Sequence, residues 1–448
     1  MFRHVTLAGL VAAALAMGGT ALGAPATTAP ATTAPAASAP PALDSVRLPK
    51  TISAQQGHAR FLVGVRLATA SKLTIQVISS GGKVVRTITD AANRPAGRAY
   101  VRVEAVDSSG YQLLQGSYKL RMQATDSAGR VSPAVESPFQ LKLTPPHGLF
   151  DAYTVPLWRA FRRQAGTTTP GQLVAVVGPK GPAATAGLRR GDLITSLNGT
   201  SVAAPGAWAV ALRALPADTA VTVEYLRKGA TRTGTLQAVP DWEPAPDFAK
   251  SLTVAVRRDP RNLAYAVAQA RQLLDAGKLD EATRLMDAWP AAWRTSAPGQ
   301  LTQGDLQLKR SRPKQALGAY NRARVRDATM AAAEFGRGVA LSSLKKTKPS
   351  ATAFAAAARL DPTDPAAPAF QAYALLNLDD DAGALTVSQR AVSLDARYAD
   401  GFLPYGISLL ATGDKAGGVK MLRRGLVLLE DADRASSLIS EHLDPTDP

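Results

Sequence analysis

A period of 34 residues runs through the C-terminal part of this sequence, from Leu263 to Ala432, and small side chains mark it. At the eighth place of five successive stretches stand Ala270, Gly304, Gly338, Ala372 and Gly406, and at the twentieth Ala282, Ala316, Ser350, Ala384 and Gly418. The twenty-seventh place holds Trp289, Ala323, Ala357, Ala391 and Gly425; the eleventh is Leu except at Gln307. A side chain that must be small at a fixed interval marks where one helix presses on another. Helix pairs of this length stack into a solenoid, because one pair alone cannot bury its apolar face. The stretches are 263–296, 297–330, 331–364, 365–398 and 399–432, followed by a closing helix and tail over 433–448. Two residues predict irregularity. Trp289 breaks a small column, and Pro404, lacking an N–H and clashing with the preceding turn, should kink or shorten its helix.

These columns resemble the tetratricopeptide repeat. The resemblance implies an inner, concave face at places two, five, nine, twelve and thirteen of each first helix. Arg271, Asp275, Leu301, Asp305, Lys309, Phe335, Tyr373, Asn377, Leu403 and Ile407 are its candidates here. The columns do not supply the Lys and Asn of the family's carboxylate clamp, and the mixed polar and apolar face suits a protein or extended-peptide partner. Asp379, Asp380 and Asp381 imitate a calcium loop, and residues 413–420 imitate a phosphate loop. Both fall at the turn between the helices of a pair, where polar residues and glycine are expected.

The opposite end has a different composition. A basic start (Arg3, His4), an apolar run over 5–17 and small residues at Ala21 and Gly23 predict a secretory signal over 1–23, cleaved after Gly23 or Ala24. Residues 24–42, almost all Ala, Pro, Thr and Ser, predict a solvated tether. No later stretch approaches transmembrane length, so an exported protein, periplasmic or at the cell surface, is expected without a spanning segment. With 0 cysteines the chain has neither disulfides nor a thiolate metal site. The net charge of +17 makes anionic envelope components candidate partners. Nucleic acid is excluded, because no basic run is interleaved with stacking aromatics.

Between 43 and 145, short alternating runs separated by turn clusters predict an all-β sandwich. Gly82, Lys83, Val84, Val85, Arg86 and Thr87, then Asp107, Gly110, Leu114, Gly116, Tyr118, Ala124, Asp126 and Gly129 carry a resemblance to the Ig-like domain of the flagellar hook-capping protein. That resemblance implies a spacer or assembly module.

The block GPKGPAATAGLRRGDLITSLNG, residues 178–199, resembles the PDZ domain of high-temperature-requirement periplasmic proteases. The module spans 146–240, and 241–262 forms a linker and leading helix. Such a domain takes an extended peptide as an added strand beside a wall helix. The resemblance implies a wall at 207–215, a short helix at 157–164, and strands 221–227 and 232–239 closing a barrel. Groove candidates are Tyr153, Thr154, Val155, Trp208, Ala211 and Leu212. Pro156 offers no N–H where the family presents glycine, which weakens capture of a terminal carboxylate.

No nucleophile elbow, H-E-x-x-H helix or P-loop occurs, and His58, His147 and His442 lie far apart in the sequence. The expected fold is multidomain: an Ig-like sandwich, a PDZ-like α+β barrel and an all-α tetratricopeptide solenoid, with no enzyme activity, cofactor or metal. The function expected is that of an exported scaffold or adaptor for protein or peptide partners. Alternatives are a substrate-delivery subunit of a separate envelope protease and a cell-surface binder of anionic polymers.

Overall fold

The computed structural model describes residues 41–429 and 431, apart from 58, 179–180 and 241–247. The expected signal, nearly all of the tether and the closing helix lie outside the described residues. The described residues form two compact units: one spans Pro146–Ser408, and the other combines those up to Pro145 with those from Leu409 onward.

In the second unit, β1 (Leu43–Arg47), β3 (Arg60–Leu67) and β6 (Gly97–Glu104) make a three-stranded sheet ordered β1-β3-β6. Against it lies a five-stranded sheet, β2-β8-β7-β4-β5, formed by Thr51–Gln55, Val135–Thr144, Gly116–Thr125, Ser71–Ser79 and Val84–Arg94 respectively. Alternation decides what each strand buries: Phe61, Val63, Val65 and Leu67 of β3 face Leu73, Ile75 and Val77 of β4 in one core. Tyr118 stacks on Phe139 at 5.7 Å and donates its hydroxyl hydrogen to the Leu114 carbonyl at 2.8 Å.

The middle module begins with a two-residue strand β9 (Gly148–Leu149), paired with β16 (Val239–Pro240). Its main sheet is an open path, β10-β11-β12-β14-β15, over Ala152–Pro156, Gln172–Val177, Leu193–Leu197, Ala220–Arg227 and Ala230–Gln237. Strand β13 (Thr200–Ser201) pairs with β12 through a tight turn at Asn198 and Gly199, whose φ values of 49° and 72° are those the hairpin needs. Helix α1 (Pro182–Thr185) starts on Pro182, and α2 (Ala207–Arg213) forms the expected wall. The helix expected over 157–164 is instead a 3-10 turn, Arg159–Phe161, running into one α turn, Arg162–Ala165. Pro156 ends the strand just upstream, and Gly166, left-handed at φ 65°, stops the turn.

Helix α3 (Phe248–Arg258) leads into the repeats. Their first helices are α4 (Leu263–Asp275), α6 (Ala297–Lys309), α8 (Ala331–Ser343), α10 (Ala366–Leu376) and α12 (Ala399–Ala411). Their second helices are α5 (Leu279–Asp287), α7 (Pro313–Arg326), α9 (Thr347–Leu360), α11 (Asp381–Leu394) and α13 (Lys415–Leu428). Helix α5 has 9 residues where the later second helices have 14; buried Trp289 and then Pro290 follow its end. Pro404 does not shorten α12, which keeps the 13 residues of α4, α6 and α8. Its missing N–H would have reached Asp400, in the first turn, so the bond lost lies at the helix start. The acidic turn has a capping role: Asp380 accepts from the Gly383 N–H at 3.0 Å.

The last of the described helices, α13, belongs to the sandwich unit. The carbonyl of Leu429, at its C-terminal cap, accepts from Arg60 Nη1 at 3.2 Å and Arg102 Nη1 at 2.7 Å. Two guanidinium groups thus meet the negative end of the helix dipole. Arg423 lies over the Tyr100 ring, 4.9 Å from its centroid.

The small columns have a geometric cause. A Cβ on Gly304 would lie 2.5 Å from the Tyr320 ring, and one on Gly338 2.7 Å from the ring of Phe354. Gly336 closes on Tyr320 from the other side, so this fully buried ring is held between two glycines. Gly304→Ala is therefore expected to cost about 1–3 kcal/mol through overpacking. Gly318→Ala, whose Cβ would meet only the tip of Arg322, should be neutral or stabilise by up to ~1 kcal/mol. Paired denaturant melts check both; equal midpoints would overturn the explanation.

Candidate functional site

The expected groove is framed by the terminal strand β10, which among the described residues pairs only with β11, and by helix α2. Alternation along β10 sorts the candidates onto two faces. Ala152 belongs to the module's own core with Phe150, Val174 and Ile194, and Thr154 is buried two residues further along the strand. Trp208 projects from α2 into that core, edge-on to Phe150 at 5.1 Å, with Ala211 and Leu212 packed half-buried beside it. Oγ1 of Thr154 and Nε1 of Trp208 are buried without a hydrogen-bond partner among the described residues. Orphaned polar atoms in such a position are costly unless something completes them.

Tyr153 and Val155 belong to the other side of the strand. Val155, with Leu173, Ala175 and Leu193, is buried in one apolar cluster with Leu252, Ala255, Leu263 and Val267 of α3 and α4. Tyr153 packs edge-on to Phe248 at 6.1 Å, and burial pushes its hydroxyl up to about 12. The structure therefore puts Trp208, Ala211 and Leu212 in one core, sets Thr154 opposite Val174 of that core, and places Tyr153 and Val155 in another cluster.

Just before β10 stands Asp151. Its Oδ1 accepts from the Ala183 N–H at 2.6 Å, in the first turn of α1, while Oδ2 is buried and has no partner among the described residues. A Cβ on Gly181 would collide with Oδ2, and one on Gly178 would lie 2.6 Å from it, so both glycines make room for this carboxylate. Burial raises its pKa. A carboxylate already sits in the loop before the groove strand, and an incoming terminal carboxylate would meet a like charge there.

The inner-face candidates form a second cluster. The Arg271 guanidinium lies 5.9 Å from the ring centroid of Trp158, a residue of the middle module that packs against the cores of both the first repeats and α6–α8. Leu301 and Asp305 are buried; Asp305 Oδ1 accepts from the Tyr320 hydroxyl at 2.8 Å. Burial raises the Asp305 pKa, opposed by Arg271, the Tyr320 hydrogen bond and Lys309, and assisted by Asp275. Phe335 sits 5.4 Å from Phe354 and 5.5 Å from Phe370, with Tyr373 6.1 Å from Phe370; Asn377 is exposed. Leu403 is buried in α12 and Ile407 half-buried.

Sequence reasoning missed the contacts that join module and repeats. Arg213 of α2 donates to the Thr363 carbonyl at 3.2 Å and pairs with Asp395 at 3.7 Å. A Cβ on Gly206 would strike Thr363 and Asp361. Gln164 bridges to the start of α4, donating to the Arg261 carbonyl at 2.7 Å and accepting from the Leu263 N–H at 3.1 Å.

The sequence model of the PDZ domain matches residues 173–227, and that of the FlgD Ig-like domain residues 50–128. The middle module is thus similar to PDZ domains and the sandwich to the Ig-like domain of that family. No curated protein matches the chain. Solved structures with similarity include YrrB, "a TPR protein with an unusual peptide-binding site", at 18% identity, TM-score 0.34, covering 44% of this chain and 100% of that one. MamA from Desulfovibrio magneticus matches at 15% identity and TM-score 0.32, covering 44% and 98%. A thermophilic TPR protein from Thermus thermophilus matches at 17% and 0.33, covering 36% and 89%. The helix-pair architecture itself rests on the 34-residue register of this chain.

Because its folded-state pKa is raised, Asp305 holds more proton in the folded than in the unfolded chain between the ordinary carboxyl value, about 3.9, and its raised value. Stability contributed by this residue is present below that window and lost as pH rises through it. Asp305→Asn keeps an acceptor for Tyr320 and should abolish the descent. The variant is expected to match or exceed the parent at pH ~7, with the difference shrinking toward pH ~4. Parallel stability–pH curves for the two proteins would refute it.

Proposed function

We propose that this chain is an exported scaffold that binds extended protein segments at the groove between β10 and α2. The carrying observation is the terminal strand β10, paired among the described residues with β11 alone, in a module similar to PDZ domains. An extended peptide laid along β10 supplies backbone N–H and C=O groups to an edge that pairs on one side only. Asp151 and Pro156 favour internal segments over free C-termini: one adds negative charge and the other removes a donor. The repeats hold the groove in place through Arg213, Gln164 and the shared apolar cluster. The basic start and apolar run of the first two dozen residues support export.

Selection from a random peptide library on the immobilised protein tests this reading. Enriched peptides are expected to lose at least ~tenfold in affinity against Ala211→Arg, which places a charged chain on the wall. Amidating their C-termini should change affinity by less than about threefold. Failure to enrich any sequence, or indifference to the Ala211 change, would overturn the groove assignment. Export is checked by N-terminal sequencing of the protein recovered from cells, expected to begin at Ala24 or Pro25.

A further inference from the structure

A second cleft lies away from the β10–α2 groove, between the end of β11, the turn after α1 and one face of α3. Its volume is about 510 Å³. Val176, Val177, Val254 and Ala255 line its apolar part, and Val254 is 43% exposed. Strand β11 pairs with β12 through Gln172 and Leu173, and Val174 extends the bonding to the turn before β12, donating to the Asp192 carbonyl and accepting from the Gly191 N–H, both at 2.8 Å; among the described residues Ala175–Val177 have no strand partner on the side away from β10. Cations surround this floor. Lys250, Val254 and Arg258 recur at intervals of four, on one face of α3, and span about 12 Å along its axis. Arg189 and Arg190 face them across the opening. Arg190 is held in place, donating to the Ala255 carbonyl at 3.5 Å with its guanidinium 5.5 Å from the ring centroid of Tyr265.

Two carboxylates nearby, among the described residues, have partners of their own. Asp192 forms two bonds with Arg227, at 2.8 and 2.7 Å, and accepts from the Arg189 backbone N–H at 2.7 Å. Asp259 accepts from Asn262 at 3.0 Å. Among the described residues no carboxylate pairs with Arg189, Lys250 or Arg258. Four positive side chains therefore line an apolar floor, and among the described residues none of them forms an ion pair. Such a field raises the local concentration of anionic ligands.

We infer that this cleft is a docking site for an acidic peptide segment carrying aliphatic side chains. The cations select negative charge, the valines take up the apolar side chains, and the unladdered end of β11 offers backbone groups to an extended chain. A bare polyanion satisfies only the first of these features.

Fluorescence anisotropy on the full mature protein tests this, with a labelled peptide of about 12 alternating Glu and Leu residues, enough to span the face of α3. Saturable binding is expected, lost at least ~tenfold in Lys250→Glu/Arg258→Glu and weakened as salt rises from about 0.05 to about 0.3 M. It should persist in Lys83→Glu, an exposed cation elsewhere, and in Ala211→Arg, which separates this site from the β10 groove. Should the double variant fail to fold, Arg189→Ser and Lys250→Ser, at exposed side chains, should each lower affinity about threefold. Equal binding of a Lys/Leu peptide, equal binding of a Glu/Ser peptide, retention in the cleft variants, displacement by inorganic polyphosphate at equal charge concentration, or no binding would each overturn the assignment.

Discussion

Val155, Leu173, Ala175 and Leu193 are buried because α3 and α4 bring Leu252, Ala255, Leu263 and Val267 against them. Burying one such aliphatic side chain stabilises by about 1.5–3 kcal/mol, so the contact is large beside the net stability of a domain. Separating the middle module from the repeats would expose one whole face of its sheet and much of α4. The Gln164 and Arg213 hydrogen bonds contribute less but fix direction, because their partners are backbone carbonyls at defined places, Arg261 just before α4 and Thr363 between α9 and α10. Two modules that read in sequence as independent units joined by a linker share an interior.

Much of this was legible in the sequence. The small columns at Gly304 and Gly338 announced close helix contacts, and the structure adds what each one meets: the ring sixteen residues on, Tyr320 or Phe354. Trp208 and Leu212 fall on one helix face as their spacing requires, but that face is mostly interior. Arg271, Asp305 and Lys309 do interact electrostatically; what the columns could not reveal is that Trp158, from another module, lies on Arg271. Long-range packing leaves little trace in a local pattern. One trace did exist. Residues Gln172–Val177 are apolar at nearly every place, and 5 of the 6 are buried, whereas a strand with one solvated face alternates. Leu263–Ala268 likewise carries apolar side chains all round the helix, which means burial on every side.

Buried carboxylates also organise the chain. Asp151, Asp192 and Asp305 each sit in an interior position, and each is kept there by a different donor: a backbone N–H of α1, the guanidinium of Arg227, and the hydroxyl of Tyr320. Residue type alone would place all three at the surface. Their partners, 15 to 35 residues away in sequence, are what make burial tolerable.

Arg60 and Arg102 reach across 369 and 327 residues of sequence to one carbonyl, that of Leu429. Closing so long a loop adds little to the thermodynamic cost, since that cost grows only logarithmically, but it delays the moment at which the contact can form. During synthesis the sandwich is among the first parts to emerge, and it must wait for nearly the whole chain before its two arginines find their acceptor. A polypeptide cut short before that carbonyl denies both guanidinium groups the acceptor they share at the helix end and leaves them to Glu104, at 3.7 and 3.9 Å, within the sandwich itself.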